Sequence, residues 1–453
     1  MFTSIEAKNF KAFGPAGVRL NLAPLTILLG PNGSGKSSVL DAVALFSQTA
    51  ETQPTGPPLT WAGSWIDFGG DGRYAIHKLD SAAPMTLSIG IANGRAMAEW
   101  RRERDWPEVP QPELKDLEYV FEYNRRSDES LHRLIVNGSV LVERRRTLVP
   151  SGFAKQYREI LRYPNQERIA GLEFQPITAP VAAFTFHVFE GSTTGPVQPE
   201  LSSLASTIAQ IVSLFVDYVR HQLSTRVFIV GPDRAPRKAA LKRPESNMRV
   251  GRKGEFTLAI LSIVFARAEY GAQAEKIREW ARVFGLEKLG GGWTGEKHLQ
   301  ASYYDPKCQT PLPTEYAGFG TQQLLPVIVQ VFCAPRGSFI MIEEPEISLH
   351  PEAQVDAIRM FADAVRAGQQ ILITTHSENM LLGLAEAAKE CGLKREDVAV
   401  YHFSREGKEA TAERLELNGN FYIKGWVPSF SQVESRLLKE WSTNVRDKIE
   451  PES

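Results

Sequence analysis

A phosphate-binding loop near the start of the chain constrains its fold more than any other feature. Residues 25–29, LTILL, form an apolar run with strand character, and GPNGSGKS and then an amphipathic helix follow them. The spacing Gly30-x4-Gly35-Lys36-Ser37 fits the P-loop pattern, and a strand and a helix flank it as the pattern requires. The alternative is a glycine-rich turn that binds nothing, and both flanks argue against it.

Each residue type in this loop has a chemical reason. Glycines let the backbone bend until successive N–H groups point into one concavity at a helix N-terminus, where they hold phosphate oxygens. The lysine supplies a positive charge to the β- and γ-phosphates, and the serine after it is placed to ligate Mg²⁺. We therefore expect a nucleoside triphosphate, ATP or GTP, with Mg²⁺. The predicted nucleotide contacts are Asn32, Gly33, Ser34, Gly35, Lys36, Ser37 and Ser38, with Ser37 also a metal ligand.

Composition narrows the class of protein. The 453 residues are 43% hydrophobic and 23% charged, as expected of a soluble globular chain with two or three domains or one large nucleotidase. The net charge of −1 means that nucleic acid would have to bind a local patch. Cys308, Cys333 and Cys391 are too few and too far apart for a disulfide framework or a zinc motif. With no signal peptide and no apolar run of about 20 residues, we expect a cytoplasmic protein without a membrane partner.

A second buried strand predicts the acidic half of a nucleotide site. Residues 338–342 are apolar apart from a first serine, and they end in Glu343 and Glu344. A Mg·ATP site needs one acid near the metal and its waters, and another to orient and deprotonate the attacking water. We assign Glu343 to the metal and Glu344 to the water. The alternative is an acidic strand end that faces solvent.

Two further motifs complete the predicted site. The apolar strand 370–375 ends at His376, where the γ-phosphate would lie, although a lone histidine is more often structural. Before the apolar helix 324–332, the sequence GFGTQQ offers a second anion-binding corner without a lysine. The alternative for that motif is an ordinary helix cap by Thr321.

The region 85–142 predicts β-hairpins. Asn93-Gly94 follows one alternating apolar run, and Asn137-Gly138 joins two such runs. Asn-Gly is the strongest short-range hairpin signal. We expect an antiparallel meander here. Elsewhere the pattern predicts strands within 1–29 and over 227–230, helices over 201–223 and within 255–285, and a glycine-rich turn over 290–292.

Basic residues cluster in two kinds of place. Short arginine runs at 101–104, 125–126 and 144–146 are interpreted as solvated faces. The segment 234–253 carries eight lysines and arginines, which makes contact with nucleic acid or nucleotide phosphate an open alternative. It lacks the interleaved aromatic residues of a single-strand stacking platform.

The motifs GPNGSGKS, AGFGTQQLLP, FIMIEEPEISLHP and TTHS, in this order, resemble the ABC-type ATPases of the SMC, RecF and overcoming-lysogenization-defect group. They are most similar to the bacterial "predicted ATPase" family with a GFGxSQ signature, to which the defence ATPases of Septu and PARIS are related. The segments VGPDRAP, VGRKGE and GNFYIKGW extend the resemblance along the chain. It implies an α/β P-loop NTPase of ABC type, with a mixed-sheet core, an antiparallel meander and a helical signature lobe.

The resemblance also implies a site shared by two chains. Two heads sandwich two ATP molecules, so Gly320 and Thr321 would contact the γ-phosphate in trans, while Glu344 and His376 would be catalytic. The expected assembly is a homo-oligomer of ATP-sandwich dimers. Glu343 stands where the family usually has Asp, and Thr321 where it has Ser. No glutamine serves as the Q-loop, and the sequence WIDFGG at 65–70 is a candidate for that region.

Three units are expected along the chain. They are 1–150, an ATPase lobe with Walker A and the meander; 151–330, an insert and helical lobe that end in the signature; and 331–453, an ATPase core with Walker B, D-loop, H-switch and C-terminal tail. The insert lacks the heptads of an SMC coiled coil. The stretch after His376 is too short for a Toprim nuclease, so no nuclease centre is expected.

Three functions follow from these features. The leading hypothesis is a Mg²⁺-dependent ATPase that acts as sensor or motor subunit of a bacterial defence complex against phage or plasmid DNA, with a separately encoded effector. The second is a nucleotide-gated scaffold with little turnover. The third is a DNA-repair ATPase resembling RecF, which would use the basic segment 234–253 to bind DNA.

Overall fold

The computed structural model describes residues 1–52, 59–70, 72–79, 82–92, 94–103, 115–149, 156–162, 199–234, 248–294 and 298–424. These residues form an α/β protein with three sheets, which confirms the predicted fold class. The strands are β1 (Phe2–Lys8), β2 (Val18–Asn21), β3 (Leu25–Leu29), β4 (Met85–Ile91), β5 (Leu117–Asn124), β6 (Glu129–Val136), β7 (Ser139–Val149), β8 (Gln156–Arg162), β9 (Val227–Val230), β10 (Glu287–Thr294), β11 (His298–Asp305), β12 (Thr310–Pro313), β13 (Phe339–Glu343), β14 (Gln370–Thr375), β15 (Val398–Glu406) and β16 (Glu409–Leu415). The helices are α1 (Lys36–Glu51), α2 (Gly94–Glu103), α3 (Pro199–Thr225), α4 (Thr257–Ala266), α5 (Gly271–Val283), α6 (Phe319–Cys333), α7 (Pro351–Arg366) and α8 (Glu378–Cys391).

The central sheet brings the predicted site motifs to one edge. Its strand order is β16-β15-β3-β14-β13-β9, and every pair except β15–β16 is parallel. Strands β3, β13 and β14 are buried at every residue, as expected of parallel strands that are covered on both faces. Leu29 pairs with Thr375, and Glu343 pairs with Thr374. The carboxyl ends of the three strands therefore lie side by side.

The side chains of the central strands alternate between two hydrophobic cores. Phe339 and Met341 face the core that includes α1, α3 and the antiparallel sheet. Ile340 and Ile342 face the other core, which includes residues of α4 to α8. Because both faces of the sheet are apolar, its strands read as continuous hydrophobic runs in the sequence.

The antiparallel sheet has the strand order β2-β1-β4-β5-β6-β7-β8, which confirms the predicted meander. Asn137 and Gly138 have φ angles of 51° and 81° and join β6 to β7, as the Asn-Gly pattern predicts. Helix α1 packs beneath this sheet and is buried at almost every residue. The predicted helix 201–223 is confirmed as α3.

Two predicted turns are wrong. Gly94 begins α2 rather than a hairpin turn, because Met97 and Trp100 bury one face of a helix and β4 already pairs with β1 and β5; Asn93 lies outside the described residues. Gly290 to Gly292 lie inside β10 and pair with β11. A side chain at Gly291 would place its Cβ 3.3 Å from the Cβ of Leu261, so glycine lets α4 pack closely on this strand.

The interpretation of the arginine runs as solvated faces is wrong for Arg144 and Arg146. Each side chain is only 2% exposed, while Arg145 between them is exposed. Successive side chains of β7 point to opposite faces, so a run of three arginines sends two of them inward. Arg144 of β7 lies opposite His132 of the neighbouring strand β6. A charged run on a strand therefore does not have a single environment.

The three predicted units are not separated in the central sheet. Strand β3 comes from 1–150, β9 from 151–330, and β13 to β16 from 331–453. The boundaries at 150 and 330 stay a prediction. Much of the predicted insert, the stretch 163–198, lies outside the described residues. No described helix has both the length and the apolar character needed to cross a membrane.

Acid should destabilise the protein through His132. This imidazole is fully buried between Tyr119 and Ser130, and burial, followed by the nearby Arg144 and Arg146, lowers its pKa well below the usual value. In the unfolded chain this histidine binds a proton near pH 6.5, whereas in the folded chain it stays neutral at that pH. The free energy of unfolding is therefore unaffected by His132 above pH 6.5 and decreases as the pH falls below it. The loss is at most about 1.4 kcal/mol per pH unit.

Urea unfolding midpoints at pH 7.5 and 5.5 measure this effect. The wild-type protein should lose more stability over that range than His132→Asn, whatever the neutral cost of the substitution. His350→Asn, at an exposed histidine, is the control and should keep the wild-type slope. An equal slope in His132→Asn and the wild type would contradict the assignment.

Candidate nucleotide site

The loop between β3 and α1 has the backbone conformation of a phosphate cradle. Gly30, Gly33 and Gly35 have φ angles of 142°, 74° and 101°, which side chains disfavour. A Cβ on Gly30 would lie 2.2 Å from the carbonyl oxygen of Phe403 in β15. A Cβ on Gly33 would meet nothing within 4 Å, so the concavity is open at that point. All three positions favour glycine for their backbone conformation, and Gly30 also requires it for close approach.

The hydroxyls of the loop fit a bound phosphate. Ser34 is only 1% exposed, and its Oγ has no hydrogen-bond partner among the described residues. A buried hydroxyl without a partner is costly, and a phosphate oxygen at this loop would supply one. Asn32 and Ser37 are exposed, whereas Ser38 is buried. The predicted loop contacts, Ser37 toward Mg²⁺ included, stay predictions that this geometry favours.

Lys36 connects the loop to the end of β14. Its Nζ donates to the carbonyl oxygens of Gly30 at 2.8 Å and Pro31 at 3.0 Å, and it lies 3.1 Å from Nε2 of His376. Burial lowers the pKa of Lys36, and the carboxylates of Glu344 and Glu346 oppose this. The ammonium is thus held at the loop before any nucleotide arrives.

Glu344 is held in an unusual conformation at the end of β13. Its φ angle is 46°, in the left-handed region that costs a residue with a Cβ about 1–2 kcal/mol. Its N–H donates to Thr374 at 3.0 Å, and its carbonyl accepts from Arg234 at 2.9 Å. Its Oε1 lies 3.3 Å from Nε2 of His376. The contacts on both sides of its backbone offset the strain and aim the carboxylate at the histidine.

For Arg234 the structure decides against the open alternative of a contact with nucleic acid. Its side chain is 0% exposed and donates to four carbonyl oxygens, so it is not available to nucleic acid. The pKa of this guanidinium falls to about 10 because it is buried, an effect that three glutamates oppose. The acceptors are Gln323 at 2.8 Å, Gly231 at 2.8 Å, Glu343 at 2.7 Å and Glu344 at 2.9 Å.

The other described members of the basic segment have structural partners too. Arg249 is 4% exposed, pairs with Glu51, and lies over the rings of Trp65 and Phe228. Only Lys253 among the described basic residues of this segment is exposed. Residues 235–247 lie outside the described residues. The reading of this segment as a nucleic-acid patch is therefore wrong for Arg234 and Arg249.

Glu343 is already engaged in an ion pair. Arg252 donates to its Oε1 at 2.8 Å, lies 3.6 Å from Asp41, and also donates to the carbonyl oxygen of Trp65 at 2.7 Å. The last contact ties the segment 65–70 to the site. The assignment of Glu343 to the metal stays a prediction, because Arg252 holds one of its carboxylate oxygens.

Glu346 was not assigned a role from the sequence. Its Oε1 accepts from Thr375 Oγ1 at 2.6 Å and from the backbone N–H of His376 at 2.7 Å. Two acids precede it, so the pattern EEPE carries one more carboxylate than the predicted mechanism used. The only available signal was its spacing, two residues beyond Glu344.

The described contacts of the signature residues Gly320 and Thr321 are with the segment after Walker B and with Phe284. Gly320 packs on the segment after Walker B, where a Cβ would lie 2.3 Å from the carbonyl oxygen of Ser348. Thr321 donates to the carbonyl oxygen of Phe284 at 3.3 Å, whereas helix α6 begins after Gly318 without a side-chain cap. None of their described contacts reaches the loop 30–37. The alternative of a helix cap by Thr321 is wrong.

Two segments of the chain match family models. The model described as "AAA ATPase domain" matches residues 261–381, and the one described as "AAA domain" matches residues 4–70. These two segments are similar to AAA-type ATPase domains. The first match spans the signature, Walker B and His376, and the second contains the phosphate loop, so the two matches cover both halves of the site. No curated protein matches the chain.

Solved structures of SMC heads are distant neighbours. The SMC head domain from Thermotoga maritima has a TM-score of 0.42 at 13% identity and covers 92% of this chain and 99% of that one. An Smc head bound to the C-terminal domain of ScpA, from Pyrococcus furiosus, has a TM-score of 0.43 at 12% identity and covers 97% and 99%. Values this low carry no argument about function.

Loss of Arg234 should destabilise the protein strongly. Arg234→Ala leaves four buried carbonyl oxygens without their donor, so we expect a loss of about 3–5 kcal/mol in the free energy of unfolding. Arg226 is a matched control, because it donates to one carbonyl, that of Arg336, at a partly exposed position. Arg226→Ala should cost no more than about 1 kcal/mol in the same urea titration. Equal costs would contradict the structural role of Arg234.

Proposed function

We propose that the protein is a Mg²⁺-dependent ATPase whose chemistry is centred on Lys36, His376 and Glu344. The observation that carries this proposal is that these three side chains lie next to one another at the edge of the central sheet. His376 Nε2 lies 3.1 Å from the lysine Nζ and 3.3 Å from the glutamate Oε1. The matches to ATPase domains support the same reaction at the level of the family.

The residues divide the work as their chemistry allows. Lys36 and the N–H groups of the loop bind the β- and γ-phosphates, and Mg²⁺, when bound with Ser37, neutralises phosphate charge. Glu344 orients the attacking water and accepts its proton. The imidazole ring of His376 lies between this base and Lys36, which binds the phosphate. The fixed backbone of Glu344 means that its carboxylate needs little rearrangement for the reaction.

Two substitutions separate ATP binding from hydrolysis. Glu344→Gln keeps the side-chain shape but removes the base, so kcat should fall by roughly 100-fold or more while ATP still binds. Lys36→Ala should abolish binding as measured with a fluorescent ATP analogue. Lys253→Ala, an exposed lysine outside the site, is the control. ATP binding with no turnover by the wild-type protein in any assembly state would overturn the ATPase proposal in favour of a nucleotide-gated scaffold.

The completed site includes a second copy of the chain. The resemblance implies that Gly320 and Thr321 contact the nucleotide of a partner copy, and none of their described contacts is with the chain's own loop. Two large apolar side chains beside them, Tyr316 and Phe319, are 70% and 49% exposed. Exposed aromatic residues of this kind are typical of association surfaces. The proposed unit is therefore an ATP-sandwich homodimer.

A charge at Phe319 should prevent this association. In a Glu344→Gln background, ATP should convert the monomer into a dimer on size exclusion with light scattering, and Phe319→Asp should lower the dimer affinity at least tenfold. Leu148→Asp, at an apolar residue of β7 that is 38% exposed, is the control and should leave dimerisation unchanged. Dimerisation of the Phe319→Asp protein at wild-type affinity would place the interface elsewhere.

The biological role proposed for the ATPase is that of a sensor or motor subunit in a bacterial defence complex with a separately encoded effector. It rests on the resemblance of the four motifs to the predicted-ATPase family. A RecF-like role in DNA repair is less favoured, because Arg234 and Arg249 are buried. Proteins that co-purify from native cells discriminate these two roles. An effector protein supports the defence role, and repair factors together with DNA-stimulated turnover support the RecF-like role.

A further inference from the structure

We propose that Glu346 is a positioning residue that fixes His376 between Lys36 and Glu344. The proposal rests on the proposed ATPase function and deepens it. Glu346 lies in the turn after β13, whereas His376 follows β14, the neighbouring parallel strand. A side chain that crosses from one strand end to the next sets the relative position of the two catalytic segments.

The contact geometry makes the carboxylate a fixed anchor. One oxygen, Oε1, accepts both from the hydroxyl of Thr375 at 2.6 Å and from the backbone N–H of His376 at 2.7 Å. The oxygen of the same hydroxyl accepts from the N–H of Ser377 at 2.9 Å. Three successive residues around the histidine are therefore tied to one carboxylate. Charge-assisted bonds of this length are stronger than neutral ones.

The ring of His376 depends on this anchor. Its side chain is 31% exposed, and the described polar contacts of its ring are with Lys36 and Glu344, both of which would exchange partners on binding a nucleotide under the proposed function. The backbone bond from Glu346 does not involve the ring. It therefore keeps the Cα of the histidine in place while the ring contacts change.

The second oxygen of Glu346 takes no part in this anchor. Oε2 is buried and has no hydrogen-bond partner among the described residues. Leaving a carboxylate oxygen buried in this way costs free energy. The negative charge nevertheless acts on the site, because it opposes the effect of burial on the pKa of Lys36.

Two variants of Glu346 separate the acceptor from the charge. Glu346→Ala removes the anchor, so kcat should fall by roughly 100-fold while KM for ATP changes less than about threefold, as for a misplaced catalytic group. Glu346→Gln keeps an acceptor oxygen and should recover kcat to within about tenfold of the wild type. If Glu346→Gln is as impaired as Glu346→Ala, the charge rather than the positioning matters, and the proposal is overturned.

The spectrum of the histidine tests the proposal without turnover. The chain has eight histidines, and the His376→Gln protein identifies the ring signal of His376 in a spectrum of protein labelled with ¹³C-histidine. In the nucleotide-free protein, Glu346→Ala should shift or broaden that signal, and Glu346→Gln should leave it close to the wild-type position. An unchanged signal in Glu346→Ala would overturn the proposal even if the wild-type protein hydrolyses ATP. Failure of the wild type to hydrolyse ATP would instead overturn the proposed function and leave the spectrum interpretable.

Gln354 provides the matched control. It accepts from Ser377 Oγ at 2.6 Å and from Asn379 at 3.0 Å, so it supports the start of α8 without touching His376. Gln354→Ala should leave the His376 signal in place and kcat within about twofold of the wild type. The same changes in Gln354→Ala as in Glu346→Ala would mean that general loosening of this turn is responsible, which contradicts a specific role for Glu346.

Discussion

The guanidinium of Arg234 is the interaction on which the rest of the site depends. It donates to the last two carbonyl oxygens of the Walker B segment, Glu343 and Glu344, and to Gln323 in helix α6. A guanidinium suits this place because its five donors lie in one rigid plane. It thus compensates the left-handed backbone of Glu344 and joins this acid to helix α6. The proposed catalytic acid and the proposed signature therefore belong to one packed unit.

Parallel strand pairing supplies the other half of the arrangement. β3, β14 and β13 end at one edge of the sheet, so three segments far apart in the sequence deliver a lysine, a histidine and a glutamate to one point. The charges there alternate: Arg252 lies on Glu343, and Lys36 lies beside His376, which lies beside Glu344. A negatively charged γ-phosphate group would enter a site whose cations are already balanced by carboxylates. Binding would then exchange partners within an existing network rather than create an isolated buried charge.

Sequence reasoning succeeded where a local pattern carried the physics. The P-loop, the three apolar strands and the Asn137-Gly138 turn follow from spacing, period and backbone preference, which neighbouring residues alone decide. It failed where burial decided the role. Arg234 was read as part of a basic patch, but the direction of a side chain depends on what packs around it. Glu346 had no assigned role, because its partners on Thr375 and His376 come from another strand.

The sequence by itself determined the class of fold, and it predicted the type of ligand and the groups that would act on it. Glycine at 30, lysine at 36 and paired acids after an apolar strand admit few other uses. Only the tertiary structure decided which charges are free to act. Arg252 is committed to Glu343, Arg234 to backbone carbonyls, and Glu346 to the histidine turn. The reason is physical: a charge has a chemical type in the sequence, but its partners and its exposure to water exist only after the strands pair and the helices cover them.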